Sequence, residues 1–261
     1  MTTVLSITDV VLHFGGVRAL DGVTFSVEGG EIVGIVGPNG AGKTTLFDCI
    51  SGFRRPDRGS IQLTLPGDAP VELTSRAASE RAGLGIGRTF QNARLFRSLP
   101  LREVLRAVQH DRMKGSGFVR SVLGTASARR DEAEVARRGD EALDLVGLSA
   151  HADKPASELS TGMLRLCELA ALIALEPRVL LLDEPSSGIA QKETEALGPL
   201  LRRIAGHLGA TVLLIEHDMP LIMGISDTIV AMAAGDTVTS GTPDEVRSHP
   251  EVLRSYLGQS A

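Results

Sequence analysis

The run Gly37-Pro38-Asn39-Gly40-Ala41-Gly42-Lys43-Thr44-Thr45 fits the pattern G-x-x-x-x-G-K-[ST] at each fixed position. The chemistry of such a run is anion capture. Its glycines let the backbone curl so that N–H groups converge on a phosphate. A helix that follows adds the positive end of its dipole. Lys43 is then placed as a point charge on the β and γ phosphates, and the Thr44 hydroxyl on Mg2+. Thr45 is placed to donate to the α phosphate. The run therefore predicts binding of a nucleoside triphosphate.

A second group of reactive residues closes an apolar run, Val179-Leu180-Leu181-Leu182-Asp183-Glu184-Pro185. In doubly wound sheets ligands sit at the carboxyl ends of the strands, which puts Asp183 on the Mg2+ side of the phosphates. Glu184, next along, is placed to orient and deprotonate a water. His217 ends another apolar run, Ile215-Glu216-His217-Asp218, and is expected at the same edge, near the γ phosphate. Leu159-Ser160-Thr161-Gly162-Met163 opens a strong helix over Leu164 to Leu175, with Ser160 as its N-cap. An ordinary capped helix start accounts for that segment. Nothing in the physics of Arg88-Thr89-Phe90-Gln91-Asn92 singles out Gln91.

These groups need a scaffold, and the chain supplies one. Ile32 to Val36 reads as a buried strand entering the glycine-rich run, and Thr44 to Ile50 as the first turns of a helix leaving it. Val179-Leu182, Thr211-Ile215 and Thr228-Met232 are continuously apolar, as strands covered on both faces of a parallel sheet are. A helical pattern from Lys192 to Leu208 separates the first two, so the alternation argues for α/β. Residues from Val4 to Phe14, Val23 to Val27 and Ile61 to Leu65 alternate instead, as antiparallel strands with one wet face do, with Gly15-Gly16 and Gly29-Gly30 at turns. Between about Leu99 and Leu175 no strand signal appears. Asp131 to Val146 forms an amphipathic helix whose mixed charges read as a solvated face. An all-helical insertion therefore interrupts an α/β core.

The chain has 261 residues, 43% apolar and 23% charged, with a formal net charge of -5. That is enough chain to bury a proper core, and the acidic balance weighs against a dedicated nucleic-acid binder. Cys49 and Cys167 have no metal-ligand spacing and read as reduced, buried thiols. No signal peptide is expected at the N-terminus, and no apolar run approaches the ~20 residues of a membrane span. A cytosolic chain is expected, unless a partner holds it at a membrane.

Taken together, the order and spacing of these elements resemble the ATP-binding subunit of ABC transporters, and are particularly similar to those of branched-chain amino-acid importers. Gly37 to Thr45 (Gly37, Pro38, Asn39, Gly40, Ala41, Gly42, Lys43, Thr44 and Thr45) stand as Walker A. Gln91 stands as the Q-loop, Leu159 to Met163 where the signature belongs, Val179 to Glu184 as Walker B, and His217 as the switch histidine. Phe14 sits where the family stacks an aromatic ring on adenine. The resemblance covers nearly the whole chain.

It implies a P-loop NTPase core with a parallel sheet, an N-terminal antiparallel β subdomain and an inserted α-helical subdomain. Residues 1–90 and 166–261 would form the RecA-like core with the β subdomain, and 91–165 the helical insertion. It also implies ATP and Mg2+ as cofactors, with Thr44, Gln91 and Asp183 toward the metal, Glu184 as general base, and His217 and Lys43 as catalytic residues. Two ATPase subunits, identical or different, would sandwich two ATP molecules, with Ser160 and Gly162 of one completing the site of the other. Integral membrane permease subunits, an external solute-binding protein and a place on the inner face of the cell membrane follow from the same likeness. The sequence departs from the family in the signature, where Thr161 replaces a glycine and Met163 a glutamine, and at Ala171, where an arginine is common. The departures fall on the half of the site that a second subunit completes and imply slow turnover by the chain alone. The competing readings are an ABC-type ATPase with a non-transport role and a regulatory nucleotide-binding module.

Overall fold

The computed structural model describes residues 2–89, 96–110, 126–189 and 191–257. Strand β1 (Thr3–Phe14) turns back through Gly15-Gly16 into β2 (Val17–Glu28). Strand β3 (Ile32–Val36) then runs into the glycine-rich loop and helix α1 (Lys43–Ser51). Strands β4 (Arg58–Leu63) and β5 (Val71–Glu72) rejoin the first sheet, which is antiparallel in the order β2-β1-β4-β5. Helix α2 (Ala78–Gly83) and the short β6 (Ile86–Arg88) lead back to the second sheet.

Past the helical segment come β7 (Val179–Asp183), β8 (Thr211–Ile215), β9 (Thr228–Ala233) and β10 (Asp236–Gly241). The second sheet is ordered β10-β9-β3-β8-β7-β6, parallel throughout except for β10 on β9. All five residues of β3, of β7 and of β8 are buried, as the continuous apolar runs require. Leu46, Phe47 and Ile50 of α1 join one core that takes in Leu5, Ile7, Leu20, Val23 and Ile61 from the first sheet and Val33, Leu181, Leu213 and Val230 from the second. Cys49 and Cys167 are both buried, and burial pushes both thiols up to about 12, so they pack as inert groups.

The chain divides into two compact units. The first holds both sheets and comprises Met1–Arg88, Pro177–Ser187 and Thr194–Ala261; the second comprises Thr89–Glu176 and Gly188–Glu193. In the second unit α3 (Leu101–Val108), α4 (Ala126–Leu145) and α5 (Thr161–Ile173) pack on one another. Ion pairs at helical spacing, such as Arg137 with Glu134 and Glu141, solvate the outer face of α4. The expected insertion over 91–165 differs from this division. A boundary at 165 would cut α5, whose buried Cys167 and Leu169 through Ile173 continue the same helix to its end, and the unit runs on to Glu176. Helix α6 (Gln191–Leu208) and the short helices α7 (Met219–Ile225), α8 (Pro243–Ser248) and α9 (Pro250–Leu257) complete the described chain.

One charged side chain deep in the first unit fixes the helix that follows the loop. Arg81 of α2 is 1% exposed. Its guanidinium donates to the carbonyls of Cys49 and Ile50 at the C-terminal end of α1, and to Arg76 O at 3.0 Å. Terminal carbonyls of a helix lack intrahelical donors, and a cation there also suits the helix dipole. Arg81→Met keeps the apolar stem and strips these donors. It is expected to lower stability by roughly 2–4 kcal/mol, read as a fall in the urea midpoint at unchanged slope.

Candidate functional site

The glycine-rich loop is held from several sides. Ala41 N–H donates to Pro38 O at 3.1 Å, Gly235 N–H to Ala41 O at 3.2 Å, and Leu46 N–H to Gly42 O at 2.8 Å as α1 begins. Two of its glycines are needed for space. A Cβ on Gly37 would run into the carbonyl oxygen of Met232, and one on Gly42 would come within 2.5 Å of Ala19 O. Gly42 is also the N-cap of α1 in the left-handed region, with φ 95°. The first N–H groups of α1 have no intrahelical acceptor, so the loop and helix end together form a cradle of donors.

Lys43 is buried, and its ammonium donates to Gly37 O at 2.7 Å and Pro38 O at 3.1 Å. Burial pushes its pKa below the usual 10.5, while Glu184 and Asp183 pull it back up. An ammonium held only by carbonyls is poised for an anion, which would restore the charge balance that burial removes. Thr44 is exposed on the first turn of α1 and Thr45 is half-buried.

Asp183 is buried at the end of β7, opposite Ile215 of β8. Burial pushes its carboxyl up, the Arg88 guanidinium pulls it down, and Glu184 adds to the rise. Arg88, which the sequence reading did not mark, reaches it from β6. It donates to Asp183 Oδ2 at 3.4 Å, Asp48 Oδ1 at 2.6 Å and Ser51 Oγ at 2.9 Å, and lies over the rings of Phe47 and Phe53. One guanidinium thus ties β6, β7 and α1 together behind the loop. The oxygen donors of Thr44 and Asp183 suit Mg2+, which takes one or two protein oxygens and completes its shell with waters and phosphates. Among the described residues no group of three or more His, Cys, Asp or Glu is placed to hold a metal by itself.

The strand end then bends sharply. Glu184 has φ 50°, a left-handed backbone rare outside glycine, and its N–H donates to Ile215 O at 2.9 Å. Its Oε1 meets His217 Nε2 at 3.0 Å. Between Ile215 and His217 stands Glu216, a buried carboxylate that the sequence reading passed over. It accepts from Ser186 N–H at 2.8 Å and His217 N–H at 3.0 Å. The structure thus brings Lys43, Asp183, Glu184 and His217 together on the first unit, at the carboxyl edge of the parallel sheet.

Phe14, at the end of β1, is 43% exposed, with the Arg54 guanidinium 5.2 Å from its ring centre. Gln91 lies outside the described residues. Ser160 caps α5 in the second unit, its hydroxyl accepting from Met163 N–H at 3.2 Å, with Gly162 in the same first turn.

Known proteins resemble the chain over nearly its whole length. The family model described as ABC transporter matches residues 20–187, and one described as Branched-chain amino acid ATP-binding cassette transporter matches 237–261. The chain is 40% identical to the high-affinity branched-chain amino acid transport ATP-binding protein LivG of Escherichia coli (strain K12), over 98% of each chain. It is 38% identical to BraF of Pseudomonas aeruginosa, of the same description, again over 98% of each. Among solved structures, the ADP conformation of the ATP-binding cassette MJ1267 superposes with a TM-score of 0.82 at 27% identity, covering 99% of this chain and all of that one. The cassette cbiO1 of Clostridium perfringens, part of the transporter complex cbiONQ, gives 0.80 at 28%, covering 97% and 94%. A non-transport ATPase or a regulatory module has no counterpart among these relatives, which are named for transport. The fold is that of the ABC cassettes, and the chain belongs to the ABC transporter family as one of its ATP-binding, ATP-hydrolysing subunits.

Proposed function

We propose that this ATPase powers the import of branched-chain amino acids or close analogues through partner membrane subunits. Its likeness to LivG and BraF over 98% of its length is the observation that carries the reading. The match of residues 237–261 to a model specific to branched-chain cassettes supports it further. Among the described residues no helix is long and apolar enough to cross a membrane. The chain would sit peripherally on the inner face of the membrane, paired with a second ATPase subunit and supplied by an external solute-binding protein.

The residues divide the work by position. The cradle of N–H groups over Gly37 to Thr45 and the Lys43 ammonium bind the β and γ phosphates of ATP. The Thr44 hydroxyl, the Asp183 carboxylate and Gln91 would hold Mg2+, which when bound neutralises developing charge on the phosphates. Glu184 takes the proton from the attacking water, and His217 stabilises charge near the γ phosphate. Phe14 packs on the adenine. Ser160 and Gly162, opening a helix, offer a second set of N–H donors to the γ phosphate of the partner's ATP.

The test is reconstitution in liposomes with partner permease subunits and a solute-binding protein. Labelled leucine or isoleucine is expected to accumulate only with ATP on the cassette side. Accumulation of an unrelated solute, with none of branched-chain amino acids, would overturn the substrate assignment.

A further inference from the structure

We propose that Glu216 is a positioning residue for hydrolysis: its carboxylate clamps the turn after Glu184 to the loop bearing His217, and so sets the Glu184–His217 contact. The inference rests on the reading of Glu184 and His217 as the hydrolytic pair.

The geometry is a closed set of links between two short segments. Ile215 O accepts from Glu184 N–H at 2.9 Å. Glu216 Oε1 accepts from Ser186 N–H at 2.8 Å, while Oε2 accepts from His217 N–H at 3.0 Å and Asp218 N–H at 3.4 Å. His217 Nε2 then returns to Glu184 Oε1 at 3.0 Å. Beyond the clamp, Asp218 Oδ1 caps α7 through Leu221 N–H at 2.8 Å, which anchors the far end of the His217 loop.

Glu216 is 3% exposed, and a buried carboxylate is costly unless its oxygens are satisfied. Here both are, and by backbone donors from both segments. A serine or threonine could cap the His217 loop alone. Only a side chain with acceptors on two branches, and of this reach, serves Ser186 and His217 at once. Glu184 holds a left-handed backbone, a conformation that persists when its surroundings over-determine it, and the Glu216 clamp on Ser186 is one such constraint. Removing the clamp leaves the ATP cradle of the loop and Lys43 intact but loosens the pair that acts on the attacking water.

Glu216→Gln tests this, since the isosteric amide turns one accepting branch into a donor facing N–H groups. Single-turnover ATP hydrolysis is expected to slow about tenfold to a hundredfold, the scale of a misplaced catalytic group, with ATP affinity unchanged. Glu216→Asp, which still caps His217 but falls short of Ser186, is expected to lie between. In the background of Glu184→Gln, Glu216→Gln should add no further loss, because it acts through that pair. Hydrolysis at the parent rate in both single variants would overturn the clamp. So would losses that multiply in the double variant, or a fall in ATP affinity matching the fall in rate. If Glu184→Gln and His217→Ala themselves hydrolyse ATP normally, the underlying reading fails instead.

Discussion

Glu184→Gln is expected to slow ATP hydrolysis by about 10²–10⁴-fold while ATP binding persists, because general-base catalysis is lost and the phosphate cradle is untouched. Glutamine keeps the size and the hydrogen-bonding reach of the side chain that faces His217 at 3.0 Å. What it loses is the ability to take a proton. The expected signature is a collapsed single-turnover rate with an unchanged dissociation constant for ATP. Hydrolysis within tenfold of the parent would show that the proton leaves by another route.

Lys43→Met should produce the opposite separation. The ammonium is the buried cation of the loop, and charge-assisted hydrogen bonds contribute about 1.5–3 kcal/mol each, so ATP affinity should fall at least ten- to a hundredfold. Without nucleotide the variant's stability should change little, since it loses the two hydrogen bonds to Gly37 O and Pro38 O but also the charge that burial disfavours. The pH dependence follows from the same shift. Between the lowered folded pKa and 10.5 the unfolded chain binds a proton that the nucleotide-free folded chain does not, so the stability of that form rises with pH there. ATP affinity moves the other way and weakens as pH rises through this window, because the neutral amine offers no charge to the phosphates. Calorimetric titrations with ATP across the alkaline range would detect the loss, and a flat profile would place the binding energy elsewhere in the loop.

What the sequence disclosed depended on how local each feature was. Strands β3, β7 and β8 are covered on both faces, so apart from Asp183 and Thr211 at their ends they are nonpolar and the runs stand out. Strand β6 has three residues, one of them Arg88, and β10 is an antiparallel edge rich in threonine; neither carries a pattern. The placement of Asp183, Glu184 and His217 at one sheet edge was legible because they follow the apolar runs that form buried strands. Glu216 was not, because its partner Ser186 lies 30 residues earlier and offers only a backbone N–H. The bridging of Asp48 and Asp183 by Arg88 likewise depends on residues that meet only in the folded sheet. The limit at 165 differs from the unit's end at Glu176 for a related reason: the end of a packed unit is decided by which face of α5 is buried, and the composition along that helix does not change there.

The hydrogen bonding around β6 and β7 carries a consequence for how this chain can be modified. Gly85 O, just before β6, accepts from both Arg178 N–H at 2.7 Å and Val179 N–H at 3.0 Å, where β7 begins. The stretch from Thr89 to Glu176 is therefore a detour whose exit and re-entry lie on paired, parallel neighbours. Because the pair is parallel, the detour leaves from the far end of β6 and returns at the near end of β7, about three residues or roughly 10 Å of strand away, a short span to close. A longer or shorter helical stretch between β6 and β7 should therefore cost little, while the strands of the parallel sheet keep their register.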